Sequence, residues 1–243
     1  MRLRKAVLVI HGFGSGTWEN EFLVNYLNYD RKLDTYTFTL PGHHKDYIRK
    51  VKYQDWIDAC KQEMEKLVSK YNSIYLVGHS MGGVIAAYMA TQYSQVKKLV
   101  LIAPAFEYIN FEQNKIDITE TLRKRKEKKE STEEIYPDIT AKLFHIAPTT
   151  FLEFIKLVKT YKNCTKKVVC DTLIIYGEKD ELVPYKSIKY ALDTIPSKRK
   201  YLTKVKNARH RILVSKRKRE VSEYIRIFLR GGLKWNKTKK SNM

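Results

Sequence analysis

Ser80 stands in the hexapeptide Gly78-His79-Ser80-Met81-Gly82-Gly83, between the apolar run Ser73-Ile74-Tyr75-Leu76-Val77 and the small-residue stretch Val84-Ile85-Ala86-Ala87-Tyr88-Met89-Ala90. A serine between glycines at a strand-to-helix turn is lifted above the sheet edge, where its hydroxyl can attack a carbonyl carbon. Glycines are needed on either side because strand and helix cross too closely there for side chains. A second chemical element lies upstream. The strand-length run Ala6-Val7-Leu8-Val9-Ile10 ends at His11-Gly12-Phe13-Gly14-Ser15-Gly16, ahead of a helix whose apolar face is assigned to Trp18, Phe22, Leu23, Tyr26 and Leu27. Cleavage of an ester puts negative charge on the carbonyl oxygen in the transition state, and each fixed N–H donor aimed at it is worth about 3 kcal/mol. We assign those donors to the backbone N–H groups of Phe13 and Met81. The loop has neither dinucleotide spacing nor a Walker lysine, so it is not read as a phosphate-binding turn.

Together with Leu40-Pro41-Gly42-His43 and Gly177-Glu178-Lys179-Asp180-Glu181-Leu182-Val183-Pro184, these segments make the chain resemble the α/β-hydrolases. Within that fold it is most similar to small carboxylesterases and monoacylglycerol-lipase-like serine hydrolases. The segments fall in the family's order and span nearly the whole chain apart from residues 105–165 and the last dozen. The resemblance implies a serine, an acid and a histidine in that chain order. It points to Asp180 rather than its neighbours Glu178 and Glu181, and to His210 within Asn207-Ala208-Arg209-His210-Arg211. Asp180 follows the apolar run Thr172-Leu173-Ile174-Ile175-Tyr176-Gly177, at the end of a strand where open α/β sheets place their sites. In the implied roles His210 takes the Ser80 proton and returns it to the leaving alkoxide, while Asp180 holds the histidine's tautomer. One departure is the arginine on either side of His210, where the family often has a small residue before the histidine. A nearby cation lowers a histidine's pKa unless a carboxylate offsets it.

The remaining histidines are given other work. His11 and His79 are expected to orient their loops, and the adjacent pair His43 and His44 lacks the further ligands that a metal would need. No metal site and no cofactor are expected.

The elements that must carry these groups follow from periodicity. A length of 243 residues with 43% apolar residues suffices for a single α/β domain. The expected architecture is an α/β-hydrolase fold with a minimal, mainly parallel sheet of about six strands, helices on both faces and right-handed crossovers. Five residues precede Ala6, so the two antiparallel strands that often open the fold are expected to be missing. Residues 1–104 and 166–230 form the expected core, and 231–243 a basic, mobile tail. Trp56, Cys60, Met64, Leu67, Val68 and Tyr71 share one helix face, as do Val221, Tyr224, Ile225, Phe228 and Leu229. Residues 105–165 break the strand–helix rhythm and are assigned to a helical cap. Its Phe144, His145, Phe151, Phe154, Ile155 and Val158 are candidate substrate-lining residues, although the same spacing also suits packing of the cap onto the body. The run from Arg123 to Glu130 reads as a solvated helix face.

Lysine and arginine number 47 against 26 acids, a net charge of +21. Such a surface favours anionic partners by long-range attraction. No nucleic-acid module accompanies it, so specific nucleic-acid binding is not expected, and peripheral contact with an anionic membrane is the alternative partner. Three cysteines, Cys60, Cys164 and Cys170, lack metal-ligand spacing and read as reduced thiols. The short apolar run after Met1-Arg2-Leu3-Arg4-Lys5 ends in the glycine loop without a cleavage site, so a cytoplasmic location is expected. The functional expectation is a serine carboxylesterase forming an acyl-enzyme on Ser80. Monoacylglycerol lipase, lysophospholipase and acyl-thioesterase are the alternatives, and a non-catalytic binding protein of the same fold is the competing class. Acyl length, alcohol part, ester or thioester preference, stereochemistry and oligomeric state are not legible in the sequence.

Overall fold

Successive residues of each central strand belong to two different cores, which is how the chain builds a sheet covered on both sides. Ala6, Leu8 and Ile10 join one buried cluster and Val7 and Val9 the other. The same alternation divides Leu76 from Val77, Leu101 from Val100, and Ile174 from Ile175. A period of two with apolar residues on both faces is the pattern of a parallel sheet sandwiched between helices.

The computed structural model describes residues 4–43, 50–107 and 148–233, together with the backbone of 241–242. The strands are β1 (Lys5–Ile10), β2 (Leu33–Thr37), β3 (Ile74–His79), β4 (Val96–Ile102), β5 (Asp171–Gly177), β6 (Lys200–Val205) and the two-residue β7 (Ser241–Asn242). They lie in the order β2-β1-β3-β4-β5-β6-β7, and every pairing is parallel. The helices are α1 (Thr17–Asn28), α2 (Tyr53–Val68), α3 (Met81–Gln92), α4 (Pro148–Tyr161), α5 (Tyr185–Thr194) and α6 (Lys218–Leu229). Residues of α2, α3, α4 and α5 fill one core, and Leu23 and Leu27 of α1 with Val221, Ile225 and Phe228 of α6 fill the other.

The expected mainly parallel sheet with helices on both faces is therefore what forms. Among the described residues no helix is long and apolar enough to cross a membrane. Phe144, His145, the charged run 123–130 and most of the expected cap lie outside the described residues. Within the remainder of that segment, α4 packs into the body: Phe154, Leu157 and Val158 are buried in the same core as α2 and α3.

The sheet's order decides where a site can form. Strand order reverses at β1, whose neighbours are β2 and β3, and ligands of open α/β sheets bind at such a switch point beyond the carboxyl ends of the strands. Ile10 pairs with Gly78, so the loop after β1 and the turn after β3 leave the sheet level with one another. Farther along, Gly177 pairs with Val205, which brings the loops after β5 and β6 together in the same way.

Candidate active site

Ser80 sits between β3 and α3 at φ 54 and ψ −116, a conformation L-residues rarely adopt. Strain of this kind costs on the order of 1–3 kcal/mol and persists only where the surroundings hold it. Here the Ser80 N–H donates to the Ile102 carbonyl at 2.9 Å, and the Ser80 carbonyl accepts the N–H groups of Gly83 at 3.0 Å and Ala105 at 3.2 Å. The glycines leave no room for alternatives. A Cβ on Gly78 would lie 2.3 Å from the Gly82 carbonyl oxygen, and one on Gly82 would lie 2.3 Å from that of Ile10.

The loop after β1 packs directly on this turn, since a Cβ on Gly12 would meet the Ser80 Cβ at 3.2 Å. His11 anchors the loop. Its Nε2 accepts the Leu40 N–H at 2.9 Å, and its Nδ1–H donates to the Gly12 carbonyl at 2.8 Å, so the neutral tautomer protonated on Nδ1 satisfies both bonds. Phe13 then lies in an aromatic nest. Its ring stacks on Phe154 at 5.1 Å and meets the rings of His43 at 5.7 Å and Trp56 at 5.9 Å edge-on. Phe13 and Ser80 line the same recess, while Met81 opens α3 with its side chain buried.

On the other side, His210 Nδ1 lies 2.9 Å from Asp180 Oδ2 and 3.1 Å from Oδ1. Asp180 Oδ1 also accepts the N–H groups of Leu182 at 3.0 Å and Val183 at 2.9 Å. Burial alone would raise the Asp180 pKa. The hydrogen bond and charge of His210, with the two backbone donors, outweigh it and hold the carboxyl below the ordinary aspartate value. The carboxylate is thus ionised, and its partner nitrogen carries the proton. The loop bearing His210 is clamped at its backbone as well: its N–H donates to Glu181 Oε2 at 3.2 Å, and its carbonyl accepts the Nε2–H of His79 at 3.1 Å. A further tie joins Lys179 N–H to the Ala208 carbonyl at 2.9 Å.

Ser80 and His210 line one recess. Phe13, Phe154 and Leu182 are apolar residues of its lining, and Ser15, Glu19 and Arg211 are polar ones. Four of these residues were not singled out from the sequence as site residues, namely Ser15, Leu182, Glu19 and Arg211. In the sequence Arg211 stands out only as a charge beside His210. In the folded protein that charge is balanced, because Arg211 Nη2 pairs with Glu19 Oε1 at 2.8 Å, and Arg209 pairs with Glu181 at 3.4 Å. Of the expected cap residues, Phe154 reaches the recess, and Phe151 contacts Phe13 with ring centres 6.2 Å apart. Ile155 is half-buried, and Val158 is a core residue.

Among the described residues no cluster of histidine, cysteine and carboxylate side chains could hold a metal ion. His43 is enclosed by rings, including that of His11 at 5.1 Å. Burial pushes the Cys164 and Cys170 thiols up to about 12, so both are held as neutral, weakly nucleophilic thiols.

The two clamping histidines make the site acid-sensitive. Burial, reinforced by the neighbouring His43, pushes His11 down to about 3. Burial and the nearby His210 do the same to His79, also to about 3. The unfolded chain takes up protons on these residues below its ordinary histidine pKa and the folded chain does not. Stability therefore falls as pH drops from about 6.5 toward about 3, by about 1.4 kcal/mol per pH unit for each histidine. The depressed Asp180 adds loss in the same direction at the acid end. We expect the urea midpoint to fall steeply between about pH 7 and about pH 4.5 and the fall to be shallower in His79→Gln. A midpoint that is flat over this range would mean that the buried histidines are not held neutral.

Comparison with known proteins places this geometry in a wider group. Residues 2–217 match the family model described as serine aminopeptidase, S33. The thermostable monoacylglycerol lipase of Bacillus sp. (strain H-257) is 23% identical over 210 residues, covering 84% of this chain and 82% of the lipase. A structure from the metagenome-derived lipolytic enzymes LipS and LipT superposes with a TM-score of 0.73 at 19% identity, covering 94% of each chain. The esterase EaEST from Exiguobacterium antarcticum does so with a TM-score of 0.71 at 18% identity, over 95% of this chain and 93% of the esterase.

Proposed function

The chain belongs to the S33 serine aminopeptidase family of α/β-hydrolases, among proteins of the esterase and lipase kind, and from that premise we propose that it is a serine carboxylesterase working through an acyl-enzyme on Ser80. The observation that carries the reading is the strained Ser80 turn facing a recess shared with His210, whose Nδ1 is bound to the Asp180 carboxylate. In this mechanism Ser80 Oγ attacks the ester carbonyl while His210 Nε2 takes its proton. The oxyanion is received by the N–H groups of Phe13 and Met81. Collapse of the intermediate breaks the bond to the alcohol oxygen, which leaves with the proton from His210. Water, activated by the same histidine, then releases the carboxylic acid and restores Ser80. No cofactor enters any step.

The mixed lining of the recess favours a second reading, monoacylglycerol lipase or lysophospholipase. The apolar residues Phe13, Phe154 and Leu182 suit an acyl chain, and the polar residues Ser15, Glu19 and Arg211 suit a polar alcohol next to the base that must protonate it. The polar residues have unused capacity, because Ser15 Oγ and Arg211 Nε are buried without a hydrogen-bond partner. An acyl-thioesterase would use the same groups. We place the enzyme in the cytoplasm, and the net charge of +21 supports peripheral contact with anionic membranes.

The deciding measurement is hydrolysis of p-nitrophenyl esters with acyl chains from about two to about sixteen carbons, with and without phosphatidylglycerol vesicles. Short esters are expected to be turned over well in either condition, because in this reading Ser80 and its N–H donors need no membrane to bring them together. Negligible activity on soluble esters that appears only on anionic vesicles would transfer the assignment to the lipase reading.

A further inference from the structure

Helix α1 presents two different surfaces. Glu19 in its first turn lines the Ser80 recess, whereas Phe22, Tyr26 and Tyr29 line an open groove of about 650 Å³ between α1 and α6. Sequence periodicity assigns Phe22 and Tyr26 to the core-facing side. The fold buries Leu23 and Leu27 instead and leaves the two rings stacked at 6.0 Å as part of the groove wall. Tyr29 is 88% exposed at its end.

The opposite wall is basic, with Lys216, Lys218, Arg219 and Arg226 against the single carboxylate of Asp30. Arg226 is committed, to Asp30 at 3.3 Å and to Glu223 at 2.7 Å, and Arg230 also pairs with Asp30 at 2.8 Å. Lys216, Lys218 and Arg219 have no carboxylate within ion-pair distance among the described residues, and Lys218 Nζ lies 4.8 Å from the centre of the Phe22 ring. Three uncompensated cations within four residues repel one another until an anion joins them. Aromatic faces beside Lys and Arg donors are the chemistry that holds a phosphate attached to an organic body.

The groove and the recess share no lining residue, but each wall of the groove follows a recess residue closely along the chain. Phe22 is three residues beyond Glu19 on the same helix, about 4.5 Å along its axis. Lys216 follows His210 through the single turn Ile212–Val214. We propose that this groove binds the phosphate-bearing headgroup of an acylated substrate, leaving its ester or thioester bond in the recess at Ser80. The proposal rests on the esterase reading and narrows its substrate to phosphorylated acyl carriers over neutral glycerides. Two sources share the chemistry: a lysophospholipid with an anionic headgroup, and a soluble phosphorylated carrier such as a coenzyme A thioester.

Binding is measured calorimetrically on Ser80→Ala protein, so that turnover does not enter. The ligands are lysophosphatidylglycerol below its micelle concentration, coenzyme A, and a monoacylglycerol matched to the lysolipid in acyl chain. The expected result is tight binding of at least one phosphate-bearing ligand that weakens as salt rises from about 0.1 to about 0.5 M. Adding Lys216→Gln, Lys218→Gln and Arg219→Gln together should weaken that binding at least about tenfold and leave the monoacylglycerol unaffected. These neutral replacements keep an unbranched polar side chain, and a melting curve checks that they fold. Preference for the lysolipid assigns the groove to a lipid headgroup, and preference for coenzyme A to a soluble carrier. Equal affinity for phosphate-bearing and neutral ligands, or phosphate binding that survives the triple replacement, overturns the proposal. Failure of the esterase reading would appear elsewhere, as a Ser80-containing protein inactive on every p-nitrophenyl ester.

Discussion

Ser80→Ala is expected to abolish labelling by a fluorophosphonate probe and to lower ester turnover by at least about a thousandfold. The probe phosphonylates only a serine whose hydroxyl is exposed to an electrophile and deprotonated by a neighbouring base, so it reads the proposed chemistry without knowledge of the substrate. Loss of Oγ removes the acyl-enzyme route and leaves only what the oxyanion donors contribute by binding. The backbone should tolerate the change. The Ser80 turn at φ 54 is held by main-chain bonds to Ile102, Gly83 and Ala105, and none of them uses the hydroxyl. An unchanged melting curve with lost labelling would separate chemistry from folding. Robust hydrolysis by purified Ser80→Ala would sink the acyl-enzyme mechanism.

Replacing the proposed base and acid should do comparable damage. His210→Ala removes the only proton acceptor proposed in the recess, and a loss of about a thousandfold or more is expected at neutral pH. Because the base must be neutral to accept the Ser80 proton, wild-type activity should decline on the acid side. Asp180→Asn keeps the shape of the acid but removes the charge that stabilises the imidazolium, and its amide can favour the wrong tautomer of His210. The neighbouring glutamates are poorly placed to replace it. Glu178 is tied to Lys204 at 2.9 Å and to the Asn207 N–H at 3.0 Å, and Glu181 is tied to the His210 N–H and to Arg209. An Asp180→Asn enzyme of nearly full activity beside an inactive Glu178→Gln would show that the acid had been misassigned.

What could be read from the sequence alone was local. The turn around Ser80 is legible because two backbones crossing within van der Waals distance tolerate only glycine, and that rule acts within six residues. The strands are legible because their alternation is set by the pleat, whatever they pair with. The choice of Asp180 and His210 required in addition the family's order of motifs. Their actual meeting spans 30 residues of chain and depends on Gly177 pairing with Val205, which no local pattern contains. Longer-range contacts decided the rest. The His79 bond to the His210 carbonyl crosses 131 residues, and the Glu19–Arg211 pair, which balances a charge the sequence leaves bare beside His210, joins α1 to the end of the sheet. Phe22 and Tyr26 show the same division from the other side. Their spacing places them on the apolar stripe of α1, but only the way α6 lies across that helix determines that Leu23 and Leu27 are fully covered and the two rings only in part. A helix's periodicity specifies which residues can face a neighbour, and the packing of the neighbour specifies which of them do.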